Sequence, residues 1–305
     1  MYMREAVTGK LWGKRAGKGL PCSPSYLLRL MSLLAFVQIC SCTVLEERDN
    51  CPSSLAVDFA GVDRGIKEWQ MWLFNEEGEL LLKDTIHRRS YSAPYIVQVP
   101  RYGSVRCLMW GNMRDGTIVQ EKYSYSTSIS KVPGVSADSI YSFAAIVNTR
   151  GEESCLEVVP CKEYATVDIY VEGWAGSDFE ADMVLECASS GFYVGKEFLR
   201  ERSYTNAQLV GMDNSKTHFR FRMLRQEDTE NLVLNLHMQD LNPDGSPGEV
   251  IIDNEVPIGE YLYENGYDMQ KESLEDISME LDYTFNRFVI KTANWEATYH
   301  IKTEI

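Results

Sequence analysis

A chain of 305 residues with 30 Lys and Arg against 45 Asp and Glu carries a formal net charge of −15. The first 41 residues hold six of those cations and one acid, so the remainder has 24 against 44, a net of −20. Such a surface repels polyanions, which excludes a nucleic-acid partner, and its acidity keeps the chain soluble without implying chemistry.

The N-terminal stretch reads as a targeting segment. Its apolar run, Tyr26 to Cys40, is about 15 residues, is interrupted by Arg29 and follows Lys14, Arg15 and Lys18, whereas a spanning helix needs roughly 20 apolar residues. A charged region, a short apolar region and a small residue before the cut form the signal-peptide layout. Ile39, Cys40, Ser41 and Cys42 then match a bacterial lipobox, with an aliphatic residue, a small residue and the cysteine that carries the lipid. On this reading residues 1–41 are a lipoprotein signal peptide, Cys42 is the lipid-attachment residue, and 42–53 are a tether. An ordinary secreted protein cut nearby is the alternative. Acylation by several chains holds firmly, since each buried methylene contributes about 0.8 kcal/mol and one chain alone is marginal. The pair Glu46 and Glu47 resembles a surface-export signal of Bacteroidota lipoproteins, and reads equally well as a solvated tether.

Beyond the tether, period-two alternation dominates. Leu55, Val57 and Phe59 mark a first strand, and 66–74 a second. Asn75, Glu76, Glu77 and Gly78 supply turn chemistry before a third strand over 79–83, which predicts a hairpin. Strands follow over 95–100, 105–111 and 139–147. The chain turns polar at 148–154, where a domain boundary is placed at 150/151. The pattern then restarts over 155–160, 165–171, 181–187, 191–194, 218–223 and 232–238. Residues 256–274 are the one helical candidate, read as a helix plus loop, and strands close the chain over 277–281, 288–290 and 295–305. Many short strands broken by Gly, Asn and Asp predict an all-β protein of two tandem antiparallel β-sandwiches, one over 54–150 and one over 151–305.

Chemistry is thinly represented. Five cysteines follow Cys42, namely Cys51, Cys107, Cys155, Cys161 and Cys187, with no CxxC pair, and the four histidines are scattered, so no zinc site is expected. One pair, Cys155 with Cys161, is open to bridging in an oxidising compartment. Asp240, Asn242, Asp244 and Gly245 match the opening of a calcium loop, but Ile251 stands where the bidentate Glu is required, so a hairpin turn is the better reading. No nucleophile elbow, zinc-protease motif or phosphate loop occurs, and the chain is expected to be non-enzymatic and to need no cofactor. Trp69, Trp72, Trp110, Trp174 and Trp295 are expected in the core, and any exposed one is a candidate sugar platform.

Several pieces together carry a resemblance. They are the lipobox; Asn50, Cys51 and Pro52; the strand, acidic-Gly turn and strand from Trp72 through Gly78 to Leu80; Met109, Trp110 and Gly111; the stretch from Val167 to Gly173 and Trp174; and Asn294, Trp295 and Glu296 near the end. In order and spacing they resemble the FimB-type anchor (minor) subunits of Bacteroidota fimbriae, the type V pili. Asn112 departs from the usual Trp-Gly-Gly, and Ala293 with Asn294 from the usual Asn-Gly before Trp295. The resemblance implies two transthyretin-like sandwiches, a lipid anchor in the outer membrane through Cys42, exposure at the cell surface, and a structural role at the fimbrial base. There the protein would hold the shaft subunit (fimbrillin) and limit fibre length. A lipid-tethered adhesin or glycan-binding protein is the second reading. Fibres of this kind grow by strand donation. The C-terminus is the candidate donor, because Trp295, Ala297, Tyr299, Ile301, Thr303 and Ile305 share one face. The simpler reading makes it the last strand of its own sandwich.

Overall fold

The computed structural model describes residues 51–300 apart from 102, 121–126, 173–178, 194–196, 213–215, 283–286 and 292–295. Alternation sets the first layer. Leu55 and Val57 are buried in β1 (Ser53–Asp58), and the residues between them are half-buried. β1 sits between β4 (Tyr95–Val99), antiparallel to it, and β9 (Glu153–Glu157), parallel to it. Facing this sheet is a second, in the order β10 (Cys161–Lys162), β8 (Tyr141–Asn148), β5 (Ser104–Gly111), β2 (Glu68–Phe74) and β3 (Leu80–His87). Leu55, Val57, Trp69, Met71, Leu73, Cys107 and Met109 fill the space between the two sheets.

β2 and β5 are apolar on their other face as well. Trp72, Phe74, Leu108 and Trp110 form a separate buried cluster with Ile129, Ile140, Phe192 and Leu224. The cover is a third sheet in the order β14 (Phe198–Leu199), β13 (Gly191–Tyr193), β7 (Ser128–Lys131) and β6 (Thr117–Gln120). β13 approaches β7 so closely that a Cβ on Gly191 would stand 1.9 Å from the Ile129 carbonyl oxygen.

The second sandwich pairs two larger sheets. One runs β15 (Ser203–Asn206), β12 (Phe179–Cys187), β18 (Val233–Leu241) and β19 (Pro247–Val256). The other runs β16 (Gln208–Met212), β17 (Lys216–Leu224), β11 (Tyr164–Glu172), β20 (Ile277–Asp282), β21 (Arg287–Lys291) and β22 (Glu296–His300). Val167, Ile169, Leu185, Phe221, Leu234, Leu236 and Met279 lie between them.

The two halves repeat one wiring. Setting aside the third-sheet strands (β6, β7, β13, β14) and the edge strands β10 and β16, the first strand of each half lies between the fourth and a parallel seventh: β4-β1-β9, then β17-β11-β20. In each, the facing layer runs third, second, fifth, sixth: β3-β2-β5-β8, then β15-β12-β18-β19. The expected antiparallel rule therefore has one exception per half, where the seventh strand returns beside the first. The unit is complete at β20, so β21 and β22 are additional to it.

Sheets of the first half continue through Lys162, past the boundary expected at 150/151: β8 ends at Asn148, residues 149–152 are a loop, and β9 starts at Glu153 to pair with β1. The candidate over 256–274 is a helix plus loop: α1 (Ile258–Glu264) begins after Val256 ends β19, and Gly266 takes a φ of +71° that stops it. Three carbonyls of the loop, those of Met269, Lys271 and Glu272, accept from Arg225. Cys155 and Cys161 are not bridged to one another: the Cys161 thiol donates to the Glu272 carbonyl instead. Burial pushes the Cys107 and Cys187 thiols up to about 12.

Where the halves meet, Arg225 is fully buried. Its Nε donates to Glu163 Oε2, Nη1 to the carbonyls of Met269 and Lys271, and Nη2 to those of Lys162 and Glu272. All five guanidinium N–H groups are thus engaged. Glu163 also accepts from Ser142 Oγ on β8, so the knot joins the first sandwich to the second. Removing one partner of such a pair strands the other charge. Arg225→Met should lower unfolding stability by about 3–5 kcal/mol, and Arg225→Met with Glu163→Gln should cost less than the single change. Urea midpoints of the two variants check this, and a wild-type midpoint for Arg225→Met would refute it.

Candidate functional site

The C-terminal strand is built onto the seventh strand of the second half. β21 pairs antiparallel with β20, and β22 with β21, so β22 forms the sheet edge. Alternation directs Met279, Leu281 and Ile290 inward. Ala297 lies opposite Ile290 and Tyr299 opposite Phe288, and both Ala297 and Tyr299 are half-buried, while Glu296 and Thr298 are exposed. Of the predicted donor face, Ala297 and Tyr299 therefore share one side, turned toward their own core. Trp295, Ile301, Thr303 and Ile305 lie outside the described residues, as does Cys42.

Tyr299 is the anchor of the strand. Its ring stacks on Tyr261 of α1 with centroids 4.0 Å apart. Asn265 Nδ2 donates to its hydroxyl, and that hydroxyl donates to the Tyr261 carbonyl at 3.3 Å. Burial raises the Tyr299 pKa, and the Asn265 hydrogen bond works against that rise. Sequence reasoning found Tyr299 by alternation but missed Tyr261 and Asn265. The available signal was Asn265 before Gly266, a helix-ending pair.

On the outer face, ion pairs step from strand to strand. Lys216 on β17 meets Glu172 on β11 and, at 3.7 Å, Glu280 on β20. Lys291 on β21 lies 3.8 Å from Glu280 and 3.6 Å from Glu296 on β22. The Glu172 hydrogen bond is the chief cause of a raised Lys216 pKa. Beside this ladder, Asp168 accepts from His218 at 2.6 Å and from Arg220 at 2.7 Å, and Tyr170 stacks on His218. Partly exposed pairs of this kind contribute about 0–1 kcal/mol each, so the face is solvated and only loosely braced.

The other candidates resolve structurally. Trp69, Trp72 and Trp110 are buried, while Trp174 and Trp295 lie outside the described residues. Asn242 to Ser246 is the turn joining β18 to β19: the Asn242 N–H donates to Ser246 O at 2.9 Å, and Gly245 has a φ of +78°. Among the described residues no group of His, Cys, Asp and Glu gathers as a metal site, and no helix is long and apolar enough to cross a membrane.

No protein-family model matches the sequence, and no curated protein matches it. Solved structures do. A Bacteroides thetaiotaomicron protein of the DUF1812 group, described as a candidate polysaccharide-binding protein, matches with a TM-score of 0.57 and 11% identity over 84% of this chain and 99% of that one. The fimbrial anchor protein Mfa2 from Porphyromonas gingivalis matches with a TM-score of 0.54 and 11% identity, over 81% and 99%. A candidate adhesin from Bacteroides thetaiotaomicron matches with a TM-score of 0.52 and 12% identity, over 83% and 99%. At these identities the likeness is one of fold: the chain has the two-sandwich architecture found in Bacteroidota fimbrial-anchor and adhesin-class proteins.

Because the seven-strand unit is complete at β20, loosening β22 should leave the core intact. Tyr299→Ala removes a stacked ring and its hydrogen bonds, a loss of about 1–3 kcal/mol that speeds local amide exchange roughly 10–100-fold. Exchange mass spectrometry should show this acceleration over Glu296–His300 with little change in global melting. Cooperative loss of the whole second sandwich would show instead that β22 is integral to it.

Proposed function

We propose that the chain is a structural surface lipoprotein, acylated at Cys42 in the outer membrane, that holds a fimbrial shaft to the cell and limits its length. The observation carrying this reading is the supernumerary C-terminal pair. β21 and β22 sit beyond a complete seven-strand unit, and β22 is the edge strand of its sheet among the described residues. A strand outside the structural unit is the one a chain can offer to a partner without losing its own core. Strand addition supplies affinity through main-chain hydrogen bonds and register through alternate side chains. Such alternation runs from Trp295 to Ile305.

Two further observations support the reading. The lipobox predicts a tether at the opposite chain end, so the first strand stays in place and the C-terminus is free to engage fimbrillin. The fold shared with a fimbrial anchor protein is consistent with that division of labour. The adhesin-class neighbours favour a lipid-tethered adhesin as the second reading. Burial of the described tryptophans works against it, since none is presented as a sugar platform.

Two measurements test the proposal. Cys42→Ala should move the protein from the membrane pellet to the soluble fraction on cell fractionation; continued sedimentation would remove the lipid anchor from the reading. Deleting residues 295–305 should give a folded protein that stays on the membrane while the shaft is shed into the medium. Retention of the shaft by the truncated chain would end the donor role, and glycan binding with no fimbrial partner would favour the adhesin.

A further inference from the structure

Asn112 is where the sequence departs from the Trp-Gly-Gly of the family it resembles, and it sits at the mouth of a cleft. Its φ is +59°, a left-handed conformation that Asn tolerates better than other side-chain-bearing residues. The buried side chain is fully used. Oδ1 accepts the Lys67 N–H at 2.8 Å, and Nδ2 donates to Gly65 O at 3.1 Å and to Ser139 Oγ at 3.5 Å. A glycine would take the same backbone shape but make none of these bonds. The asparagine therefore ties together the loop before β2, the end of β5 and the loop after β7.

The cleft so formed has a volume of about 220 Å³ and is lined by Gly65, Lys67, Asn112, Arg114, Asp138, Ser139 and Arg222. Its cations come from three places: Lys67 before β2, Arg114 after β5, and Arg222 on β17 of the second sandwich. Arg222 is fixed by its backbone N–H to Ser136 Oγ and its Nε to Ala137 O, both at 2.7 Å. Among the described residues none of the three forms an ion pair. One acid, Asp138, lines the same space, and its Oδ2 is held by the Arg114 N–H at 2.8 Å. Three cationic residues against one carboxylate line this cleft, on a chain whose net charge is strongly negative.

We infer that this cleft is a binding site for a small oxyanion of the phosphate class. Two guanidinium groups and an ammonium suit a compact, multiply charged group with several acceptor oxygens. The volume lies below the roughly 300–1,000 Å³ of sites that enclose a drug-sized ligand, so one headgroup is taken rather than an oligomer. Among the described residues no aromatic side chain lines the cleft, so recognition falls on charge rather than on a stacked ring. The site is independent of the anchoring role proposed above.

The intact chain in detergent, titrated with inorganic phosphate and separately with a hexose phosphate, tests this by calorimetry. Saturable binding with a dissociation constant of about 1 mM, weakened by added salt, is expected. Arg114→Gln and Lys67→Gln should each weaken it by about tenfold, both residues being exposed enough to change without unfolding the chain. Arg150→Gln, at the opposite end of the same sheet, should leave it unchanged. Tighter binding of the hexose phosphate assigns the anion to a phosphorylated glycan, and binding no tighter than that of phosphate assigns it to the free ion; either upholds the site. Absence of saturable binding by both, or binding that survives the Arg114→Gln and Lys67→Gln double variant, overturns it.

Discussion

Strands β2 and β5 have to be covered twice. Their inward residues Trp69, Met71, Cys107 and Met109 face the first sheet, while Trp72, Phe74, Leu108 and Trp110 stand on the other side. Leaving the outer set in water would forgo about 1.5–3 kcal/mol for each large side chain. The chain meets this by laying a third sheet across it, and that sheet takes β6 and β7 from before the junction and β13 and β14 from after it. Phe192 lies opposite Ile129 in the pairing and packs against Trp110 with ring centroids 6.0 Å apart. The same burial that completes the first sandwich thus fastens the second to it.

Polar groups at the seam follow from that fastening. Once water is excluded, each buried donor needs a partner. Lys131 sits buried beside the third sheet with its Nζ donating to three carbonyls, those of Val132, Val135 and Tyr204, the last from the second half. Burial accordingly lowers its pKa. Arg225 does the same on a larger scale, saturating its five donors with Glu163 and four carbonyls. Buried charges are poor sources of net stability, but once present they make any other geometry costly. The seam is therefore a defined joint rather than a flexible linker, and it fixes the cations around Asn112 relative to one another.

Long alternating runs made most of the fold readable. β1 and β11 keep strict period-two burial, β17 and β18 keep it until their last residues, and their sequences state it plainly. β2 and β5 read as strands too, though their near-continuous apolar runs gave no hint of what covered the second face. The unread strands are β6, β7, β14 and β15, which are short or polar, together with β16 and the ten-residue β19; they owe their conformation to partners elsewhere in the chain, which single-sequence patterning does not see. The boundary was displaced because β9 returns to β1 across nearly the whole first half, and such a parallel return has no local signature. At the candidate site, Ala297 and Tyr299 were legible by alternation. Tyr261 and Asn265 were not, since a short helix inside a turn-rich stretch leaves no usable period. Arg225 was equally invisible, because four of its acceptors are backbone carbonyls that any sequence supplies.

The repeated wiring bears on how the C-terminal edge can behave. In the first half the seventh strand, β9, is itself the sheet edge, and the sandwich around it is well packed. The second half shows that a further hairpin can be added at the equivalent strand without rearranging the seven. What holds that hairpin is of a different order from what holds the core. The interior strands contribute fully buried side chains from both sheets, whereas β22 contributes half-buried Ala297 and Tyr299, a stack on one short helix and the last rung of a partly exposed ion-pair ladder. Among the described strands β22 has one hydrogen-bonded neighbour, β21. An edge so held is the part of the molecule whose exchange for an intermolecular pairing disturbs least. The difference lies in cohesion: the core is held from both sheets, and the added hairpin by one strand and one short helix.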